Sequence, residues 1–312
     1  MTEHALRKVF TETLTEAARR DPAIFAVATD SRGSVTLGGF ADELPAQFVE
    51  CGIAEQDAVG ISAGLALGGL RPFVCGPAAF YSLRSAEQVK LDVAYAHTNV
   101  KVIGVSGGVS YGALGASHHS TQDIALMRAF PGLEVYIPSD GAQMRALTLH
   151  LAQSENPAYV RVGRGEVPDI YPEGETFVFG KAKKLQSGHD AAIIACGEMV
   201  WPALQAARQL AQEGLSVALY DMHTIKPLDE AAILEAAATG HVLTVEEHSI
   251  HGGLGAAVAE VIAQRRPARM KIMGLPDAAP YAGTSAELFA HEGLTAEGIA
   301  RELRLLLERG RV

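Results

Sequence analysis

The sequence is sparing in the residues that would commit it to several large protein classes. It holds three cysteines, Cys51, Cys75 and Cys196, widely spaced and set among apolar neighbours. An odd, scattered set excludes a disulfide framework and a cysteine zinc site, and reads as buried thiols in a reducing compartment. No run approaches the roughly 18 apolar residues that a membrane span needs. The opening stretch MTEHALRKVFTETLTEAARRDP interleaves acidic residues and has no apolar core of the signal-peptide kind, so the expectation is a soluble, cytoplasmic protein. Basic residues are outnumbered, 26 against 36 acidic, and nowhere cluster. That argues against nucleic acid or an anionic membrane as the main partner and leaves small molecules or proteins. Also missing are a G-x-x-x-x-G-K-[ST] loop, a full G-x-G-x-x-G at the first strand, a G-x-S-x-G elbow and an acidic magnesium cluster. A self-contained nucleotide enzyme or hydrolase is thereby disfavoured.

What is present is ordinary globular material, 48% hydrophobic over 312 residues, enough for about two domains. Leu6, Val9, Phe10, Leu14 and Ala17 recur at helical spacing, and Asp21-Pro22 closes that helix before the apolar run AIFAVATD. The alternation continues through a glycine-rich helix from about Ala54, the strand RPFVCG, a helix over SLRSAEQVKLDVAYAH and the strand VKVIGVS. A long glycine loop, the helix TQDIALMRAF, the strand LEVYIPSD and the helix GAQMRALTLHLAQS follow. Strands separated by helices of this length indicate a parallel sheet covered on both faces. Proline, glycine and charge then concentrate, which divides the chain into a domain over 1–165, a connection over 166–188 and a smaller α/β domain over 189–312. The second domain alternates DAAIIACG, WPALQAARQLAQEG, SVALYDM, LDEAAILEAAATG and HVLTVEEH before a helix entered through GGLG. The fold class is α/β, two doubly wound domains in series.

Three features carry chemistry. Glu55 opens the run EQDAVGISAGLALGG, where it is either a helix-start acid stabilised by the dipole or a carboxylate partly removed from water by close packing along Gly60, Gly64 and their neighbours. A desolvated carboxylate holds a proton more tightly and can manage one. The loop SGGVSYGALGASHHSTQD follows a strand, where doubly wound sheets collect ligands, and carries adjacent His118 and His119. Neighbouring histidines point different ways and make a poor metal pair, so they are structural or they contact substrate. Tyr81, Arg84, Arg161 and Arg164 gather near the same edge, and Arg161, inside a strand-like run, is the best placed for an anion. The GGLG turn holds either an anion at a helix start or close packing.

The stretches GIAEQDAVGISAGLALGG, SHHSTQDIALMRAFPGLEVYIPSD and TIKPLD…TVEEHSIHGGLG, in that order, resemble the C-terminal section of transketolase-like thiamine diphosphate enzymes, nearly end to end. The resemblance implies a pyrimidine-binding domain followed by a transketolase C-terminal domain. It implies that Glu55 hydrogen-bonds N1′ of the aminopyrimidine and promotes the imino tautomer that generates the cofactor ylid. Tyr81 corresponds to the aromatic residue stacked on the pyrimidine, Arg84 to a substrate arginine of deoxyxylulose phosphate synthases, His118 to a catalytic-loop histidine, and Arg161 to a phosphate-gripping arginine. Asp30 and Ser34 match cofactor-side and phosphate-side contacts. Leu114 and Ser106 stand where an acidic residue and a phosphate-contacting histidine are usual, and His119 replaces a glutamine, which puts the substrate in doubt.

The family holds the diphosphate and Mg2+ on a G-D-G…N domain that these residues do not include. The resemblance therefore implies one subunit of a split transketolase, working with an N-terminal-type subunit in an α2β2 assembly on sugar or sugar-phosphate substrates. Its rivals are the β-subunit of a 2-oxo acid dehydrogenase, a deoxyxylulose phosphate synthase and a noncatalytic paralogue. The second domain is expected to support assembly more than chemistry.

Overall fold

The structure is a computed structural model that describes residues 2–279 and 281–308. Its strands, in chain order, are Glu3–Ala5 (β1), Ile24–Ala28 (β2), Phe48–Glu50 (β3), Arg71–Pro77 (β4), Lys101–Val105 (β5), Glu134–Tyr136 (β6), Ala158–Val162 (β7), Glu166–Pro168 (β8), Lys183–Gln186 (β9), Ala191–Ala195 (β10), Val217–Asp221 (β11), Thr224–Lys226 (β12), His241–Ser249 (β13) and Arg269–Leu275 (β14). The first sheet has the order β12-β6-β7-β5-β4-β2-β3. Six of these strands run parallel, with β12 antiparallel at the edge. β5 and β7 lie inside the sheet and are buried along their whole length, as parallel strands with two covered faces must be.

Alternate residues of β4 serve different faces. Phe73 and Cys75 meet the helices Leu6–Ala18 and Gly141–Gln153, around Phe10, Leu14, Met144 and Leu151. Val74 points to the other face, where Val59 of the helix Glu55–Leu67 and Ile124 of the helix Asp123–Ala129 pack. That second core runs without a break into Ile194 and Tyr220 of the second sheet and Ile233 and Val258 of the helices packed on it. The two sheets thus share a core.

The second sheet has the order β14-β13-β10-β11-β9, parallel except for β9. The helices Val200–Gln212 and Ala296–Glu308 cover one face, and Glu230–Ala237 and Leu254–Arg265 the other. Among the described residues no helix is long and apolar enough to cross a membrane.

Three details differ from the sequence reading. The stretch 166–188 contributes β8, which pairs with β1, and β9, which edges the second sheet. β12 leaves the second domain and covers the β6 edge of the first sheet, whose backbone groups would otherwise go unpaired. The helix expected over residues 82–97 breaks at Ser85 (φ −102°, ψ 19°) into Ala78–Leu83 and Ala86–Gln88. It then widens over Val89–Tyr95, whose end is marked by i→i+5 bonds such as Ala96 N–H to Leu91 O (3.1 Å).

Candidate active site

A cleft of about 270 Å³ opens outside the carboxyl ends of the first sheet. Thr29, Asp30, Ser31 and Ser34 enter it after β2, Ile53 and Glu55 after β3, Pro77 at the end of β4 and Phe80 just beyond it, and Tyr111, Leu114 and His118 after β5. The parallel register brings these four loops to one edge.

Glu55 is the first residue of its helix and is 5% exposed. Its Oε1 accepts a hydrogen bond from Arg84 Nη1 at 3.2 Å, and among the described residues Oε2 accepts none. The Arg84 guanidinium lies 3.9 Å from the centroid of the Phe80 ring, so one cation ties the buried carboxylate to the aromatic wall. Ala58, Ser62 and Ala63 carry the buried face of this helix. Gly60 and Gly64 do not pack closely within the chain as expected, for a Cβ at either would meet no atom within 4 Å. Ile61, Gly64 and Leu67 are exposed, and Gly60 is half-buried.

Asp30 sits in the left-handed region (φ 53°), held by its N–H donating to Glu50 Oε1 (2.7 Å). The same oxygen accepts from Gly52 N–H (3.1 Å), which ties the ends of β2 and β3 together. The Ser34 carbonyl accepts from Arg7 Nη1 (2.8 Å). Burial, then the nearby Arg164, lowers the pKa of Arg7, so two guanidinium groups stand close together behind this wall. Arg164 lies over the Tyr111 ring (4.9 Å to the centroid) and its Nη1 reaches Ser106 Oγ at 3.5 Å. The His118 ring stands edge-on to Phe80 and Tyr111, both at 5.3 Å, and its Nδ1 pairs with Ser117 Oγ (3.0 Å).

Glu55, Asp30, Ser34 and His118 therefore share one cleft, with Arg84 at its margin. Three other expected site residues do not reach it. Tyr81 is fully buried, with its hydroxyl 3.2 Å from Thr29 Oγ1 and its ring packed against Gly76, where a Cβ would overlap it. Burial pushes its phenol above the ordinary tyrosine range. Phe80, one residue earlier, faces the cleft, because helix phase turns successive side chains about 100° apart. The sequence carried a signal for this: glycine inside a strand marks close approach of another group.

His119 turns away from His118, buried, with Nε2 donating to Gly112 O (3.0 Å), and burial lowers its pKa. It borders a different depression, with Thr121, Ser249 and Asp277. Arg161 lies under the glycine loop among Asp123, Glu198 and Glu247. Although burial opposes its charge, Asp123 and Glu247 hold its pKa above the usual arginine value. Alternation misled here because both faces of β7 are covered.

Glu246 and Glu247 gave no separate sequence signal. Glu246 resolves the GGLG turn, for its carboxylate accepts from Leu254 N–H and Gly255 N–H, both at 2.7 Å, so the helix start is occupied by the chain itself. Among the described residues no group of three or more His, Cys, Asp or Glu is placed to hold a metal ion.

Residues 2–169 match the transketolase pyrimidine-binding domain family and residues 180–299 the transketolase C-terminal domain family. The sequence is 56% identical over 299 residues to one of the apulose-4-phosphate transketolase subunits of Phocaeicola vulgatus, covering 95% of this chain and 96% of that one. It is 38% identical over 308 residues to the 6-deoxy-6-sulfo-D-fructose transketolase subunit SqwH of a Clostridium species, covering 98% of this chain and 96% of that one. A solved split gene transketolase, an inactive beta4 tetramer, shares the fold with a TM-score of 0.91 at 36% identity, covering 97% of this chain and 98% of that one. The chain belongs to the transketolase family, as its C-terminal section: the pyrimidine-binding domain followed by the C-terminal domain.

Proposed function

We propose that this chain is the C-terminal subunit of a split, thiamine diphosphate-dependent transketolase that moves a two-carbon ketol unit from an anionic ketose to a carbonyl acceptor. The observation that carries the reading is Glu55, a buried carboxylate with one oxygen anchored by Arg84 and the other without a partner among the described residues, lining a cleft walled by Phe80. These residues fit an aminopyrimidine: Oε2 offers a buried acceptor for a protonated ring nitrogen, and Phe80 offers an aromatic face. Thiamine diphosphate, when bound, supplies the carbanion chemistry that breaks and forms carbon–carbon bonds. Arg84 fixes the orientation of the Glu55 carboxylate, and burial keeps water from competing for its free oxygen. His118, steadied by the edges of two rings, stands at the substrate end as a donor or acceptor to a substrate oxygen.

The anionic end of the substrate is assigned to Arg164 and the Ser34 segment, with Arg7 behind it, rather than to the buried Arg161. Two curated relatives are named for ketoses that carry a phosphate or a sulfonate, which supports an anionic donor and makes apulose 4-phosphate the first to try. The diphosphate and its Mg2+ are assigned to an N-terminal-type partner subunit, in an α2β2 assembly. The naming of the relatives as subunits supports a partner, as does the uncovered face beside Glu55, with Gly60, Ile61, Gly64 and Leu67.

The test is reconstitution with the partner, thiamine diphosphate and Mg2+, offering ketose phosphates in one arm and 2-oxo acids with an artificial electron acceptor in the other. Two-carbon transfer from an anionic ketose is the expected result. Oxidation of a 2-oxo acid in its place would move the chain to the 2-oxo acid dehydrogenases.

A further inference from the structure

The glycine loop that carries Tyr111, Leu114 and His118 closes on itself at its base. Gly108 N–H donates to Ser120 O (2.8 Å) and Ser120 N–H to Gly108 O (2.7 Å), so the residues between them form one excursion. The next residue, Val109, is held by the other domain. Its side chain is buried in the core of the second sheet, among Met199, Leu243 and Leu288, and its N–H donates to Glu247 Oε1 at 2.8 Å. Glu247 is held in turn by Arg161 of β7, which donates to its backbone carbonyl and lies 3.5 Å from its Oε2. Arg161 Nε is 3.7 Å from Asp123, the first residue of the helix that follows the loop. Gly107 and Gly108 leave the room this requires: a Cβ on either would overlap Arg161, and on Gly108 also the Glu247 carboxyl.

We infer that Glu247, braced by Arg161, is a positioning residue through which the C-terminal domain fixes the loop bearing His118. The second domain then does more than support assembly, because both feet of the loop converge on one buried pair. An unpaired N–H and a loose foot would follow from its loss, and about 1 Å of misplacement can cost on the order of 100-fold in rate. Burial and the neighbouring Glu198 push the Glu247 carboxyl well above the usual carboxylate range. Glutamine, the same shape without the charge, is therefore a conservative replacement that keeps the acceptor for Val109.

The kinetic arm of the test rests on the transketolase reading, whereas the exchange arm does not. In the full chain, the Val109 amide should exchange with deuterium among the slowest in the protein, and far more slowly than that of Leu114 at the loop's exposed tip. Glu247→Ala should speed exchange at the loop base by about 10- to 100-fold, the cost of leaving a buried N–H without its acceptor, while the central strands of both sheets stay protected. In the complex reconstituted with the partner, kcat should fall about 100-fold with a much smaller change in KM. Glu247→Gln should restore both readings. A Val109 amide that exchanges as fast as that of Leu114 overturns the inference. So does Glu247→Ala that melts earlier yet leaves loop exchange and kcat as in the wild type, and so does Glu247→Gln that behaves like Glu247→Ala. Should Glu247→Ala fail to fold, wild-type exchange and the glutamine variant decide the matter. Absence of any transfer by the wild-type complex would count against the proposed function and leave the exchange result standing.

Discussion

At the carboxyl edge of the first sheet, Glu55 stands in the first turn of its helix and lines an open cleft. At the corresponding edge of the second, Glu246 is completely buried and turns both oxygens onto the first N–H groups of the helix Leu254–Arg265. Both are acids at a helix start in a doubly wound sheet. One satisfies the chain's own donors, and the other is anchored on one side by a half-exposed arginine and left open on the other. A carboxylate at a helix start is structural when its hydrogen bonds close within the chain and available for chemistry when they do not. The same contrast separates buried Arg161, ringed by acids, from Arg164, stacked on the cleft aromatic Tyr111.

Substitutions can break this contrast in graded fashion. The largest effect belongs to Glu55→Ala, which should cut kcat of the reconstituted enzyme by about 10²- to 10⁴-fold while the melting temperature and assembly stay as in the wild type. Near-normal turnover would place Glu55 with Glu246 as a structural acid. Glu246→Ala should act the opposite way, lowering stability by about 2–4 kcal/mol in urea unfolding, since two helix N–H groups lose their acceptor. Turnover by the fraction that remains folded should persist. Phe80→Ala should raise the thiamine diphosphate requirement about tenfold through the loss of an aromatic face. Tyr81→Phe should leave that requirement unchanged and cost only about 1 kcal/mol for the lost bond to Thr29. If the two aromatic variants exchanged behaviours, the assignment of Phe80 to the cleft would fail.

The architecture was largely legible because apolar period and glycine punctuation are local signals. Runs such as VKVIGV and AAIIA can hardly be anything but covered strands, and each lies where its pattern placed it. Glu55, Asp30, Ser34 and His118 were legible as cleft residues because each follows a strand, and parallel strands deliver their following loops to one edge. What was not legible depends on partners distant in sequence. Whether residue 80 or 81 faces the cleft turns on the ring that packs over Gly76, and Arg161 is claimed by Glu247 from the other domain. β12 pairs outside its own domain, a contact that no local pattern in TIKPLD encodes. The glycines after Glu55 looked like internal packing, yet their face is open within the chain.

The central claim is that the Glu55 cleft is half of a thiamine site, completed by another chain. Its most direct measurement is two-carbon transfer from a ketose phosphate at a fixed concentration of this chain, thiamine diphosphate and Mg2+, while the N-terminal-type partner is titrated in. Transfer should be absent without partner, rise in proportion to it and saturate at one partner per chain. Full transfer by this chain alone, or a rate indifferent to added partner, would contradict the claim.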